Sequence, residues 1–327
     1  MNSNRIRIGV LGCASIAKRS VIPAIGSLPD KFKLIAVASR SAEKAKEFGR
    51  LFNAAAITGY ENLVDREDID AIYMPLPTGL HEAWILSCLD KGKHVLVEKS
   101  LAMNYDSARK IIDRATSKRL LVMENFMFRH HAQHEFVFGV IDQGRIGQKR
   151  LFRSQFGFPP LDKTNFRYDR KAGGGSLLDA GAYTVMASQL FLEREIEVQS
   201  SNLVLDSTTE VDIYGNATLI NGDGLTAQIS FGFDNFYQCN YEIWGSKGKV
   251  TAEKAFTPKP TEEPKISVET REGNDLHFIP AEDHFMKTLS YFFDCIRKKE
   301  FDKEHKEILN QSRILTAIRE KAVIGYL

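Results

Sequence analysis

The chain has 327 residues, 43% of them hydrophobic and 26% charged, which fits an ordered globular protein too long for one compact core and predicts two domains. Its 44 basic and 42 acidic residues nearly cancel to a net charge of +2, giving no reason to expect nucleic acid or an anionic membrane as a partner. The four cysteines, Cys13, Cys88, Cys239 and Cys295, lie far apart without metal or CxxC spacing; they read as reduced thiols of a cytoplasmic protein. No apolar run approaches the 18 or so residues of a membrane span, and no basic segment followed by an apolar one marks a signal peptide near Met1.

Up to about residue 125, short β-rich runs alternate with helical patterns. Strands are expected at Arg5 to Leu11, Phe32 to Ser39, Ala55 to Thr58, Ala71 to Leu76, His94 to Glu98 and Leu120 to Glu124. Helices are expected at Ser15 to Ser27, Ser41 to Phe52, Glu61 to Arg66, Thr78 to Lys91 and Asn104 to Lys118. Ser41, Thr78 and Asn104 suit helix N-caps, and Pro23 should kink or shorten the first helix. This alternation predicts a doubly wound parallel sheet over residues 1–125.

Beyond Phe126 the pattern changes. A helix (Gln133 to Asp142), a strand (Gly147 to Phe158) and a long helix (Ser176 to Leu192) precede seven strands between Glu197 and Ile279 with turn signals such as Asn221-Gly222-Asp223-Gly224. Two helices, His284 to Lys298 and Lys306 to Ile324, close the chain. Residues 126–327 therefore predict an α+β domain with a large, mostly antiparallel, open-faced sheet. Aromatic stretches such as Phe231-Gly232-Phe233 and Phe236-Tyr237 predict that its open face is apolar and covered in a homodimer or homotetramer.

Chemistry concentrates in a few motifs. The segment from Arg5 through Gly12-Cys13-Ala14-Ser15-Ile16-Ala17 is a strand, a tight turn and a helix start. It fits the dinucleotide fingerprint G-x-G-x-x-[G/A] with Ala14 in the second glycine slot. The second strand ends in Ser39-Arg40, where NAD-type sites place a carboxylate; a hydroxyl and a guanidinium suit a 2′-phosphate and favour NADP(H). The bland alternative is a capping serine beside a solvated arginine. Pro77 and Thr78 follow the fourth strand and should lie over the nicotinamide half of the cofactor; His81 either orients a ribose or backbone group or sits on the helix surface. Glu98 and Lys99 end the fifth strand, where ligands of open parallel sheets bind. After Gly173-Gly174-Gly175, which lets a backbone or ligand approach closely, Asp179 and Tyr183 share one helix face. In Arg129-His130-His131-Ala132-Gln133-His134 the i, i+4 histidines lack the pattern and third ligand of a zinc site, so no metal is expected. Arg153, Asn165, Arg167 and Tyr168 suit a sugar or a diphosphate, or simply solvent.

These segments, with Gly92 to Lys99 and Glu124-Asn125-Phe126-Met127-Phe128-Arg129, resemble in order the glucose–fructose oxidoreductase/inositol dehydrogenase (Gfo/Idh/MocA) family. Within it, Gly12-Cys13-Ala14, Glu124 to Phe128 with His130-His131, and Phe256-Thr257-Pro258 look most like the NDP-3-keto-6-deoxyhexose 3-ketoreductases. The resemblance implies a Rossmann domain followed by a substrate-binding and oligomerisation domain, and NADPH-dependent reduction of a keto group on a nucleotide-linked sugar. The alternatives are a dehydrogenase of free sugars, cyclitols or dihydrodiols and, more remotely, a non-catalytic NADP-binding regulator. It also implies Lys99, Tyr183 and Asp179 as catalytic residues. Gly12, Cys13, Ala14, Ser15, Ile16, Ser39, Arg40, Pro77, Thr78, His81, Glu98 and Lys99 are then the cofactor-binding set. Tyr183 would donate the proton and Lys99 bind the carbonyl, or the reverse; Asp179 would bind a sugar hydroxyl or orient Lys99. Two departures are Ser100 where many relatives have proline and Tyr183 where many have histidine.

Overall fold

Apolar β-branched runs separated by capped helices build the first layer. The structure, a computed structural model, describes residues 5–193 and 195–327. Strands β1 (Ile6–Leu11), β2 (Phe32–Ser39), β3 (Ala55–Thr58), β4 (Ala71–Met74), β5 (His94–Val97) and β6 (Val122–Glu124) form one parallel sheet in the order β3-β2-β1-β4-β5-β6. That order reverses between β1 and β4, the switch point at which such sheets bind ligands beyond the strands' carboxyl ends. The flanking helices are α1 (Ile22–Gly26), α2 (Ala42–Phe52), α3 (Glu61–Val64), α4 (His81–Asp90) and α5 (Tyr105–Lys118). Ser41 and Asn104 cap α2 and α5 as expected, accepting from the backbone N–H groups of Lys44 and Ser107. Thr78 does not cap: it opens a short 3-10 turn, Thr78–Leu80, ahead of α4 and makes no side-chain cap bond. The first helix is interrupted as Pro23 implies: a wide turn of π type over Ala17–Val21 precedes α1, with the proline in its first positions, where a missing N–H costs little.

The second sheet has nine strands in the order β14-β13-β12-β11-β7-β10-β9-β8-β15. They are β7 (Lys149–Gly157), β8 (Ile196–Leu205), β9 (Asp212–Asn221), β10 (Thr226–Gly232), β11 (Gln238–Gly245), β12 (Gly248–Ala252), β13 (Lys265–Thr270), β14 (Gly273–Phe278) and β15 (Ala322–Tyr326). All neighbours are antiparallel except β7 with β10 and β8 with β15. Between β6 and β8 come α6 (Ala132–Asp142) and α7 (Ala182–Leu192), the latter entered through a π-type turn over Leu177–Gly181; α8 (His284–Lys298) and α9 (Asp302–Lys321) follow β14. Period-2 alternation turns Phe152, Phe156, Tyr241 and Ile243 inward, where Phe152 and Tyr241 pack on Phe191 of α7.

Three expectations need correction. Residues 322–324 end in strand β15 rather than helix, because Val323, Ile324 and Tyr326 are strand formers and β8 offers a free parallel edge. The open face of the large sheet is not apolar: Phe231 and Phe233 are buried, and the outer positions carry Gln155, Asn216, Gln228, Ser230 and Gln238. Exposed aromatics of the sheet and its turns include Tyr214, Trp244, Phe278, Tyr326, Tyr237 and Phe236, the last in the turn before β11 and 87% exposed. Finally, a single boundary at 125/126 does not describe the units. The first comprises the chain up to Asn125 together with Phe285–Ser312, and the second Phe126–His284 with Arg313–Leu327. Burial is the reason. Phe293 of α8 stacks edge-on against Phe32, Ile308 of α9 joins the cluster of Leu89, Val95, Ile111 and Val122, and the Val122 N–H points at His305 Nε2.

Candidate active site

In the first unit the motif residues collect at the carboxyl ends of the strands. Gly12 leaves β1 with φ +126°, its N–H bonded to the Ala38 carbonyl, and a Cβ there would lie 2.8 Å from Leu76. Only glycine makes this turn at no cost. Cys13, Ala14 and Ile16 are half-buried, Ser15 is exposed, and helical backbone begins at Ser15, so N–H groups and the positive helix end face the crevice. Burial and the nearby Glu47 push the Cys13 thiol up to about 11, so it stays protonated and uncharged beside an incoming diphosphate. At the end of β2, Ser39 is buried and its hydroxyl accepts from the Ser41 N–H, while Arg40 is exposed. Arg40 lies beside Tyr60, whose pKa burial raises and Arg40 partly restores. The glycine turn, the helix start and an exposed guanidinium in place of a carboxylate fit a dinucleotide carrying a 2′-phosphate.

Lys99 follows β5 and is half-buried. The backbone around it is gripped by buried polar side chains. Glu98 accepts from the Tyr73 hydroxyl and the Asn125 amide, both at 2.7 Å, and Glu124 accepts from the Leu101 N–H at 2.7 Å. Burial raises the Glu98 carboxyl pKa, opposed by those two bonds and by the Lys99 charge. The Lys99–Ser100 peptide is cis. Of the roles left open for His81, the structure shows the backbone one rather than a place on the helix surface. It is fully buried, with Nδ1 2.9 Å from the Ser100 carbonyl and 3.1 Å from that of Leu101, and Nε2 2.8 Å from the Leu76 carbonyl. Burial lowers its pKa against the pull of these three carbonyls. His81 thus ties the end of the β4 segment to the two residues after Lys99. Thr78 is buried and Pro77 half-buried at the same strand ends.

In the second unit Asp179 and Tyr183 lie one turn apart at the start of the α7 segment. The helix start is anchored by Asp212, whose buried carboxylate accepts from the Ser176 hydroxyl and the Leu177 N–H. A Cβ at Gly175 would collide with that carboxylate at 2.3 Å, and one at Gly174 would lie 2.4 Å from the Arg167 carbonyl. The glycine run therefore serves the close backbone approach expected of it. What approaches is Arg167, whose carbonyl accepts from the Gly175 N–H and whose guanidinium meets Asp179 in a two-pronged pair at 2.5 and 3.2 Å. Burial works against the Arg167 charge, yet Asp179, and after it Tyr183, keep its pKa above the ordinary arginine value. Asp179 is thus a partner of Arg167 within its own unit. Tyr183 is 7% exposed, its ring set among Phe126, Phe128, Phe156 and Phe256 and its hydroxyl 3.9 Å from Met127 Sδ.

Sequence reasoning missed Tyr73, Glu124 and Asn125 as supports of the Lys99 segment. The available signal was topological: Val97 pairs with Glu124, which brings the residues after β5 and β6 to one level. It also left Arg167 among several loop residues. Of the histidine run, His134 is buried with Nδ1 2.9 Å from the Tyr241 hydroxyl, and His131 lies beside Glu282 and His284.

The oxidoreductase family model described as having an NAD-binding Rossmann fold, GFO_IDH_MocA, matches residues 6–126, and the GFO/IDH/MocA C-terminal domain model matches residues 137–251. The chain belongs to the GFO/IDH/MocA oxidoreductase family. Among relatives, dTDP-3,4-didehydro-2,6-dideoxy-alpha-D-glucose 3-reductase of Actinomadura kijaniata is 39% identical over 98% of this chain and 97% of its own. The D-xylose 1-dehydrogenase (NADP(+)) 2 of Haloferax volcanii is 29% identical over 97% of both chains. Among solved structures, a 3-ketoreductase from Actinomadura kijaniata in complex with NADP and TDP-benzene superposes with TM-score 0.96 at 38% identity, covering 99% of both chains. An aldose-aldose oxidoreductase from Caulobacter crescentus, 22% identical over 97% of both chains with TM-score 0.88, shares the fold of this GFO/IDH/MocA protein.

Proposed function

We propose that this protein is an NADPH-dependent reductase of a keto group on a nucleotide-linked sugar, of the 3-ketoreductase type. The observation that carries the reading is end-to-end similarity, over 98% of the chain, to an enzyme of that activity. Bound NADPH supplies the hydride. The turn at Gly12 to Ile16 would hold its diphosphate, Ser39 and Arg40 its 2′-phosphate, and Pro77, Thr78 and the Glu98–Lys99 strand end its nicotinamide half. Hydride arriving at a ketone carbon leaves an alkoxide, which needs a charged donor and then a proton. Lys99 supplies the charge and Tyr183 the proton. The Actinomadura enzyme has been solved with one tyrosine changed to phenylalanine and one lysine changed to alanine or glutamate; that pair has the same separation in sequence as Tyr183 and Lys99.

Two finer assignments belong to the same reading. A second copy of the chain covers the outer face of the nine-stranded sheet, where Tyr214 and Phe236 border a shallow hollow of about 400 Å³ rich in amide side chains. The four cysteines are free thiols, which suits a reducing cytoplasm; among the described residues no helix is long and apolar enough to cross a membrane.

The test is NADPH oxidation with a dTDP-linked 3-keto-6-deoxysugar generated in the assay, beside D-xylose and a dihydrodiol with NADP⁺. Turnover of the nucleotide sugar is expected to fall roughly 10²- to 10⁴-fold in Tyr183→Phe, the scale of general acid catalysis, with NADPH affinity retained. Lys99→Ala should lose a similar factor. Turnover of a free sugar or diol but not of the nucleotide sugar would overturn the reading.

A further inference from the structure

The two-pronged bond between Arg167 and Asp179 occupies the turn of helix that precedes Tyr183, and the fold is specialised to make it. Asn165 Oδ1 accepts from the Arg167 N–H at 3.1 Å, the Arg167 carbonyl accepts from the Gly175 N–H at 3.0 Å, and Gly174 leaves no room for a Cβ between the two segments. The backbone of Arg167 is thus fixed from both sides. Its side chain, 27% exposed, can reach Asp179, which is 12% exposed. Around the Tyr183 ring its own unit sets four phenyl rings and the Met127 thioether, with His134 one ring further away behind Phe128, its pKa pushed down to about 3 by burial. Asp179, four residues before Tyr183 on the same helical segment, brings the Arg167 guanidinium to that turn, where its charge and Tyr183 interact.

We propose that Arg167, held in place by Asp179, is a positioning residue that sets the acidity of Tyr183. The inference rests on the reading of Tyr183 as proton donor. When hydride forms the new C–H bond, the carbonyl π pair moves onto oxygen. The Tyr183 O–H bond then breaks, its proton goes to the alkoxide, and its electron pair stays on the phenolate oxygen until solvent returns a proton. In an aromatic nest that transient anion is poorly solvated, and a fixed guanidinium stabilises it. Asp179 has two effects: it orients the guanidinium, and its own charge tempers how far the tyrosine is acidified. The higher-than-ordinary Arg167 pKa, to which Tyr183 contributes, agrees with this arrangement.

The direct test is titration of tyrosinate by ultraviolet difference absorbance on the NADP⁺-loaded protein. The step present in the wild type and missing in Tyr183→Phe belongs to Tyr183. In Arg167→Met that step should move up by about one pH unit or more, the usual effect of losing an opposite charge nearby. Arg167→Lys should restore most of the shift, and Asp179→Asn should move the step down. Opposite signs for the two members of one ion pair are what a purely structural role would not produce. In turnover, reduction needs the protonated phenol, so the alkaline limb of the kcat profile should follow the same shifts, with KM for the nucleotide sugar little changed. A step that stays in place in Arg167→Met overturns the proposal, as does a raised KM with an unmoved step, which would make Arg167 a substrate ligand. Should Arg167→Met not fold, Arg167→Gln and Arg167→Lys carry the same comparison. Failure of the underlying reading has a separate signature: an alkaline limb and near wild-type kcat that persist in Tyr183→Phe.

Discussion

Replacing His81 by alanine separates support of the Lys99 segment from contact with a cofactor ribose. The ring faces three backbone carbonyls, those of Leu76, Ser100 and Leu101, at 2.8 to 3.1 Å and is fully buried. A neutral imidazole has one N–H, so truncation removes at least one good hydrogen bond. It also leaves buried carbonyls short of a donor at about 1–3 kcal/mol, with a cavity besides. The sum is about 2–4 kcal/mol, which for a chain of this size lowers the melting temperature by roughly 3–6 °C. The residues released lie immediately after Lys99, so kcat should fall more than tenfold, on the order of the loss expected from misplacing a catalytic group, while NADPH affinity stays within about twofold. Scanning calorimetry, cofactor fluorescence titration and steady-state kinetics on one preparation decide it. A variant with unchanged melting temperature and a tenfold weaker NADPH affinity would refute the reasoning and return His81 to the ribose.

Cofactor preference should be NADPH over NADH, and Arg40→Ala should weaken NADPH by about 1.5–3 kcal/mol, the value of a charge-assisted hydrogen bond, while sparing NADH; fluorescence titration showing equal or tighter NADH binding contradicts this. Burial holds His94 and His284 down to about 4 and His134 to about 3. The folded state therefore binds fewer protons than the unfolded state below the ordinary imidazole value of about 6.5. Stability should be full above that pH and decline as pH falls toward 4, by up to about 4 kcal/mol per unit for three such groups. The buried carboxyls of Glu98 and Asp212, with raised pKa values, work against this. Denaturation midpoints that stay flat between pH 7 and 4.5 would show the rings to be hydrated. Light scattering should report a dimer or tetramer at micromolar concentration, and Trp244→Arg with Phe236→Glu should release the monomer; a wild-type monomer rules out the sheet-face assembly.

Most of the first unit could be read locally. Ser41 and Asn104 cap helices because their side chains reach an N–H three residues on, which is a property of neighbouring sequence. Pro23 disturbed the helix for the same local reason. Thr78 escaped because it falls inside the short 3-10 turn Thr78–Leu80, three residues ahead of α4, rather than at the position before the helix. The failures depend on partners far along the chain. β15 takes its conformation from β8, more than a hundred residues earlier, and α8 is drawn to Phe32. Candidate site residues were legible by type and motif, but their contacts were not. Motif alone leaves His81 open to a ribose, a backbone group or the surface, and Asp179 to a sugar hydroxyl or Lys99; the long-range contacts that decide are three carbonyls for His81 and Arg167 for Asp179. The inward rotation of Phe231 and Phe233 reflects register, which a run of apolar residues does not disclose.

Helix α9 begins among residues of the first unit and ends among those of the second, and α8 also belongs with the first. The order of synthesis is therefore not the order of completion. A nascent chain that has released residues 1–125 still lacks Phe293, His305 and Ile308, which close over Phe32 and Val122. The ribosome must deliver the whole nine-stranded insert, save its last strand, before the nucleotide-binding half can seal its own core. An N-terminal fragment cut at Asn125 would carry an uncovered apolar surface, so the half that reads most plainly as an independent domain is the one least able to be made alone.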